Sequence, residues 1–416
     1  MTILEYCEYS KKRLRACLQA FRNYKSIEFP YTHSLDALKT IEETFQNHFD
    51  TLKSLSDDSD EATARAACSV ALKALFINLP FIGFILRSTE VRNAFEIYGP
   101  LLRVSQRILG NPDAKLIVSS EWEYSPFTYV GIPVLPGFVL IGLPAPESAN
   151  PLLVPLAGHE LGHSVWYREG LDGRFKREIE SRILREITDV RWKKYCEYFP
   201  NDRKETLPTN LDARQNWFPA YHWALSQTEE TFCDFLGLRI FRESYLHAFS
   251  YLLAPNLEGD RPPIYPNMLR RVRNLMEAAN TYQTHVPPEY ESRFADFLDP
   301  PDGASVFLLE LADEALQSVL PNLVALANDI VSAAALEEGG QAAVDEIYNE
   351  IRDHIVPARN PVALSDILNA GWMAFHDPNL WKDKNFDQEN RERTLKELLL
   401  KSIEILEVNT RLKAQA

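Results

Sequence analysis

The sequence has few cysteines, and they follow no metal-binding or disulfide pattern. The five cysteines in 416 residues are scattered and odd in number: Cys7, Cys17, Cys68, Cys196 and Cys233. None is separated from another by the two residues of a Cys-x-x-Cys motif. This scatter favours a protein of a reducing compartment over a disulfide-stabilised secreted domain.

Three further features are missing. The formal net charge is −15 and no basic patch stands out, which argues against a nucleic-acid partner. The longest apolar stretch, residues 74–86, has an asparagine and a proline inside it. It is shorter than the roughly 20 residues of a membrane span, so we interpret it as a buried helix and turn. The first residues lack a basic start followed by an apolar run, so no signal peptide is expected. These absences together predict a cytoplasmic protein without a membrane span.

Hydrophobic spacing predicts a mainly α protein with a small β-sheet, an α+β fold. Residues 1–110 show apolar residues at steps of three and four, typical of amphipathic helices. Short β-rich segments at 115–119, 127–130 and 138–141, separated by proline and glycine, predict the sheet. Residues 138–143 are either an edge strand, on which an extended peptide substrate could pair, or an ordinary core strand.

The pattern then returns to helices. A long charged helix is expected over 174–199 and a loop over 200–218, and four more helices are expected after residue 300. Their ranges are 306–330, 342–355, 364–375 and 391–412. The predicted organisation is a helical N-terminal region (1–110), a core (111–298) and a helical C-terminal region (299–416).

The segment from Leu156 to Trp166 contains His159-Glu160-x-x-His163. Residues four apart lie on one face of a helix, so both imidazoles can reach one metal ion, as zinc prefers. Glu160 lies about a hundred degrees round the helix, where it can reach a metal-bound water instead of the metal. Zinc lowers the pKa of such a water to about 7, which makes it a nucleophile at neutral pH. The alternative is a helix with two surface histidines, but its apolar flanks predict burial, and buried polar groups need partners.

A catalytic zinc ion usually has three protein ligands. Trp166 and Glu169 stand where a metzincin has a glycine and a third histidine, so that pattern is excluded. A second helical stretch, from Gln227 to Leu238, contains Glu230 and, four residues later, Asp234. Here the sequence resembles the gluzincin metallopeptidases, whose HExxH helix is completed by an ExxxD helix.

This resemblance implies a zincin-like core in which Glu230 is the third zinc ligand and Asp234 orients a ligating histidine, His159. Glu229 is the alternative ligand, but Cys233 stands four residues after it, where the family has the aspartate.

A further segment contains Tyr265-Pro266 and, six residues after the tyrosine, Arg271. It is similar to the His-Pro…Arg element of the CAAX prenyl endopeptidases and their bacterial relatives. In that branch the histidine stabilises the oxyanion and the arginine braces the site. The resemblance implies these roles for Tyr265 and Arg271, since a phenol can also donate a hydrogen bond to an oxyanion. His222 and His247 are alternatives for the oxyanion role. The membrane helices of those enzymes have no counterpart here.

The sequence therefore predicts a zinc metalloendopeptidase that hydrolyses a peptide or protein substrate, with Glu160 as general base and then acid. Two alternatives stay open. One is zinc-dependent hydrolysis of a non-peptide amide or ester, and the other is an interaction scaffold with a structural or vestigial zinc site. A further hypothesis is that the helical flanks dock a regulatory protein partner.

Overall fold

The computed structural model describes residues 3–24, 26–29, 31–55, 59–88, 94–122, 125–254, 259–296, 298, 300, 302–337, 339–357, 363–382 and 386–415. The protein is mostly helical, and it has a three-stranded sheet. This confirms the predicted class, mainly α with a small sheet. The predicted strands lie where the sheet forms, and each predicted C-terminal helix has a counterpart within a few residues.

The chain divides into two compact units. The first consists of Met1–Leu102 and Asp113–Ala149, and the second of Arg103–Pro112 and Asn150–Ala416. This grouping differs from the three predicted regions. The sheet falls in the same unit as the N-terminal helices, and residues 299–416 fall in the same unit as residues 150–298.

In the first unit, helices α1 (Ile3–Tyr24), α2 (Thr32–Lys53) and α3 (Glu61–Arg87) pack against one another, and α2 and α3 contact the sheet. Asp60 begins α3 as its N-cap, accepting a hydrogen bond from the backbone N–H of Thr63 at 2.9 Å. Helix α4 (Ala94–Ile108) follows, and it belongs to the first unit as far as Leu102 and to the second unit from Arg103 onward.

Strand β3 (Phe138–Pro144) is the middle strand of the sheet, with β1 (Lys115–Glu121) parallel on one side and β2 (Phe127–Tyr129) antiparallel on the other. Of the two interpretations of residues 138–143, the edge strand is therefore wrong and the ordinary core strand is confirmed. The apolar run of this strand is continuous, not alternating, which is typical of a strand covered on both faces.

Helix α3 is continuous through residues 74–86, so the predicted turn there is wrong. Among the described residues, this helix alone is long and apolar enough to cross a membrane by length and composition, with a mean hydropathy of 1.9 over its most apolar window. The buried helices of soluble proteins often meet the same criterion, so the absence of a membrane span stays a prediction.

Besides the end of α4, the second unit contains ten complete α-helices within its described residues. They are α5 (Ala157–Arg168), α6 (Leu171–Arg185), α7 (Trp192–Tyr198), α8 (Leu211–Phe241), α9 (Glu243–Leu253), α10 (Met268–Thr281), α11 (Gly303–Ala333), α12 (Gly340–Arg352), α13 (Leu364–His376) and α14 (Gln388–Gln415). A π-helical turn at Glu186–Val190 and α7 follow α6, so the single helix predicted over 174–199 is interrupted.

Helix α8 is the central helix of the second unit and contacts α5, α6, α9, α10 and α11. Asn210 caps it by accepting hydrogen bonds from the backbone N–H groups of Asp212 and Ala213. The helix therefore begins at residue 211, inside the predicted loop over 200–218. Every residue from 231 to 238 is buried, as expected for a helix surrounded by others.

Candidate metal centre

Helices α5 and α8 approach each other closely because glycines line their contact. A Cβ atom on Gly158 would lie 2.9 Å from the Cα of Gly237, and one on Gly162 would lie 2.7 Å from the Cα of Cys233. Real side chains do not tolerate such distances, so only glycine allows this approach. Each α5 glycine immediately precedes a motif histidine, and the close contact therefore brings His159 and His163 to the acidic turn of α8.

Both motif histidines use Nδ1 to contact a carboxylate. His159 Nδ1 lies 2.9 Å from Asp234 Oδ1, and His163 Nδ1 lies 2.8 Å from Glu229 Oε1. The Nε2 atoms face the two oxygens of Glu230: His159 Nε2 is 3.3 Å from Oε2, and His163 Nε2 is 3.7 Å from Oε1. The structure thus gathers the two imidazoles and Glu230 around one point.

Asp234 is the most heavily bonded carboxylate of this cluster. Besides His159, it accepts hydrogen bonds from the Tyr245 hydroxyl at 2.8 Å and from Arg271 Nε and Nη2 at 2.6 and 2.8 Å. Burial alone would raise the pKa of Asp234, but Arg271 and His159 hold it well below its usual range. Asp234 is therefore a fixed anion that holds the ring of His159 in one orientation.

Two members of the cluster, Glu229 and Tyr245, carry roles that the sequence did not suggest. The sequence offers Glu229 as an alternative ligand, whereas in the structure its carboxylate contacts His163 Nδ1, the ring nitrogen that does not face Glu230. Tyr245 stands on α9, which follows α8 after Arg242, a residue with a φ of 58°. That sharp reversal packs the Tyr245 ring on Gly237, where a Cβ would lie 2.5 Å from it.

The charges around the imidazoles favour a cation between them. Burial would lower the pKa of His159, but the carboxylates of Asp234 and Glu230 raise it to about 10. Burial would likewise raise the pKa of Glu230, but His159 and Arg271 lower it. The positive charge that these carboxylates stabilise can be a proton or a metal ion.

Glu160, Tyr265 and Arg271 complete the set of predicted site residues. Glu160 is buried, and this burial raises the pKa of its carboxyl group. The Tyr265 ring lies 5.2 Å from the Arg271 guanidinium, and burial, with the nearby Glu230 and Glu160, raises the pKa of its phenol to about 12. Tyr265 therefore remains a protonated hydrogen-bond donor at neutral pH.

The two alternative histidines occupy other surroundings. His247 Nδ1 lies 3.0 Å from His376 Nε2, and its Nε2 lies 3.4 Å from Glu243. His222 is exposed and contacts the Phe218 ring edge to face. Neither contact involves the cluster of His159, His163 and Glu230.

Cys233 is a second candidate for the third metal ligand. Its Sγ and one ring nitrogen of each of His159 and His163 lie within 4.8 Å of one another. Its side chain also fills the contact between the helices, since a Cβ on Gly162 would lie 2.9 Å from this Sγ. Burial and the surrounding carboxylates raise the pKa of the Cys233 thiol well above its ordinary value, which disfavours the thiolate that a metal requires.

No protein-family model, no curated protein and no solved structure matches this chain. The resemblance to the gluzincins therefore rests on the motif residues and their spacing.

Proposed function

We propose that the protein is a zinc-dependent metallopeptidase with a zincin-like core formed by α5, α8 and α10. In this proposal His159, His163 and Glu230 hold the zinc ion, and Glu160 is the general base. Asp234 and Glu229 orient the two imidazoles. One observation carries the proposal. The Nε2 atoms of His159 and His163 both face the buried carboxylate of Glu230, while their Nδ1 atoms contact two other carboxylates.

The three side chains fit zinc in distance and in chemistry. In a tetrahedral site with bonds of about 2.0–2.1 Å, two ligand atoms lie about 3.3–3.4 Å apart. The Glu230 oxygens lie 3.3 and 3.7 Å from the two Nε2 atoms. Glu230 Oε2 is buried and accepts no hydrogen bond of normal geometry from the described residues. Its nearest charged neighbours are His159 Nε2 at 3.3 Å and Arg271 Nη2 at 3.8 Å, so a cation bound between the imidazoles would complete the partners of this buried oxygen.

The surrounding residues supply the rest of the chemistry. A zinc ion held by these residues would supply a Lewis acid that makes water nucleophilic at neutral pH. Glu160 accepts the proton of the attacking water and passes it to the leaving amine. Tyr265, a protonated phenol, donates a hydrogen bond to the oxyanion that develops on the scissile carbonyl. Arg271 fixes Asp234 and lies against the Tyr265 ring.

A structural zinc site is the second candidate, because the cluster of His159, His163 and Cys233 favours it. Closed structural sites commonly use cysteine, whereas catalytic sites use histidine and carboxylate and keep one position open. The buried carboxyl group of Glu160, adjacent to the ligands in sequence, has no function in a structural site. We therefore favour the catalytic assignment with Glu230 as ligand.

The two assignments differ in which substitution removes zinc. We expect one zinc per chain in the wild type and in Cys233→Ser, and loss of zinc after dialysis for Glu230→Gln, since the amide lacks the charge that faces both Nε2 atoms. Metal content by plasma emission spectrometry measures this. Hydrolysis of a fluorogenic peptide library by the zinc-loaded wild type tests the activity itself.

The opposite pattern, zinc retained by Glu230→Gln and lost by Cys233→Ser, would support the structural site. A wild type without zinc after supplementation would overturn the metalloenzyme proposal. Zinc without cleavage of any peptide would leave amide or ester hydrolysis as the activity to test.

Glu229 gives a separate prediction. Replacing it with glutamine keeps its size but removes the negative charge next to His163 Nδ1. Mutating a carboxylate that contacts a metal-ligating histidine typically lowers metal affinity by about 10–100-fold. We expect Glu229→Gln to weaken zinc binding by about that factor in a competition titration with a chromophoric chelator. Glu169→Gln, at the exposed end of α5, is the control. Equal affinities for the two variants would show that the charge of Glu229 does not contribute to zinc binding.

A further inference from the structure

The segment that carries Tyr265 is held by an ion pair outside the motif residues. Arg261 Nε and Nη2 each donate to the backbone carbonyl of Tyr265 at 3.2 Å. The same guanidinium donates from Nη1 to Asp313 Oδ2 at 2.9 Å and from Nη2 to Asp313 Oδ1 at 2.5 Å. Asp313 lies on α11, so a neighbouring helix fixes the arginine that holds the Tyr265 backbone.

This arrangement is buried and rigid. Arg261 and Asp313 are 6% and 8% exposed, and buried charges persist in proteins only when they are paired and hydrogen-bonded. Three of the six residues from Arg261 to Pro266 are prolines, which restrict the backbone of the segment. The backbone of the segment is thus restricted by its prolines and held by the ion pair.

A second contact ties the same segment to the ligand helix. Gln227, fully buried on α8, donates from Nε2 to the backbone carbonyl of Pro263 at 3.0 Å. Gln227 stands three residues before Glu230, about one helical turn. The position of the Tyr265 segment is therefore set relative to the helix that carries Glu230.

We propose that Arg261 and Asp313 are a positioning pair that holds Tyr265 where its hydroxyl can stabilise the oxyanion. This inference rests on the proposed peptidase function. Neither residue is in contact with the imidazoles or with Glu230 in any described interaction, so the pair acts through Tyr265. Catalytic groups need to be held within about half an ångström of their productive position, and misplacement by about 1 Å can cost about 100-fold in rate.

The test is a double-mutant cycle with Tyr265→Phe. Replacing both charges, in Arg261→Gln/Asp313→Asn, avoids an unpaired buried ion. We expect kcat to fall by about 10–100-fold with KM within about twofold and zinc content unchanged. In the Tyr265→Phe background the same pair of changes is expected to have less than about a twofold effect, because the group they position is already absent.

The control is the neighbouring pair Arg270 and Glu314, which links α10 to α11 at 3.7 Å but does not contact the Tyr265 carbonyl. Arg270→Gln/Glu314→Gln is expected to leave kcat within about twofold. A kcat that falls equally with and without the Tyr265 hydroxyl would assign Arg261 and Asp313 a general structural role and overturn the proposal. An unchanged kcat would also overturn it.

A readout independent of activity keeps the two proposals separable. 3-Fluorotyrosine labelling gives a ¹⁹F resonance for Tyr265, assigned by its loss in Tyr265→Phe. We expect one sharp line in the wild type and a shifted or broadened line in the Arg261/Asp313 variant. The milder Arg261→Lys serves if the double variant does not fold. An unchanged line overturns the positioning role even if the enzyme proves inactive, whereas a changed line without any hydrolysis contradicts only the peptidase function.

Discussion

Replacing Glu160 with glutamine is expected to abolish most of the proposed peptidase activity while leaving zinc in place. Glutamine keeps the size of the side chain but cannot accept the proton of the attacking water. General acid–base catalysis by a positioned side chain contributes about 10²–10⁴-fold, so we expect kcat to fall by a factor in that range. Hydrolysis of a peptide identified from the library, with zinc content measured on the same preparation, provides the comparison.

Glu169→Gln provides the matched control, because Glu169 follows the same helix but is exposed. It should retain wild-type kcat and zinc. A Glu160→Gln protein that retains zinc and cleaves the peptide at the wild-type rate would exclude Glu160 as the general base. A Glu160→Gln protein that loses zinc would instead indicate that Glu160 supports the metal site.

The sequence predicted that His159 and His163 lie near Glu230 and Asp234, as they do in the structure, but not the contacts that Glu229 and Tyr245 make there. The four-residue spacing of His159 and His163 places both rings on one helix face, and Glu230 and Asp234 are spaced in the same way on a second helix. Two such faces become one site wherever the helices pack together. The spacing does not say that these two helices pack together; the resemblance to the gluzincins implied it.

The sequence also contains a pattern that indicates the close contact between the two helices. Gly158 and Gly162 repeat at the interval of the histidines, and both lie where α5 meets α8. Glycine is unfavourable inside a helix, by about 1 kcal/mol relative to alanine, so two glycines on one face indicate a close neighbour. That spacing could have predicted which side of α5 faces α8.

Other features depend on tertiary structure that local patterns do not encode. The role of Tyr245 requires the reversal at Arg242, a residue whose positive φ nothing in its side chain suggests. The position of β3 inside the sheet depends on which strands pair with it. The start of α8 in the predicted loop is a simpler omission, since Asn210 is a standard N-cap residue.

Of the substitutions proposed here, Arg271→Leu is expected to lower the free energy of unfolding the most. Replacing Arg271 with leucine leaves the carboxylate of Asp234, which is 1% exposed, without the partner that makes two of its hydrogen bonds. Breaking a buried ion pair by removing one member costs about 3–5 kcal/mol, because the remaining charge stays buried. We expect Arg271→Leu to be destabilised by about that amount in urea unfolding, with both proteins in chelator so that zinc does not contribute.

Arg273 is the matched control, because it lies on the same helix but is exposed and paired with Glu291. The free energy of unfolding of Arg273→Leu should lie within about 1 kcal/mol of the wild-type value.

Acidification distinguishes a charge effect from a loss of packing. In the wild type the pKa of Asp234 is lowered, so its stabilising contribution is present above the unfolded value of about 4 and decreases as the pH falls below it. In Arg271→Leu we expect this pKa to rise, because burial is then opposed by His159 without Arg271, and protonation relieves part of the cost of the buried charge. The stability difference between the two proteins should therefore shrink as the pH falls from 7 towards 4. A difference that stays constant with pH would mean that the lost apolar contacts of the Arg271 side chain, and not its charge, stabilise this part of the fold.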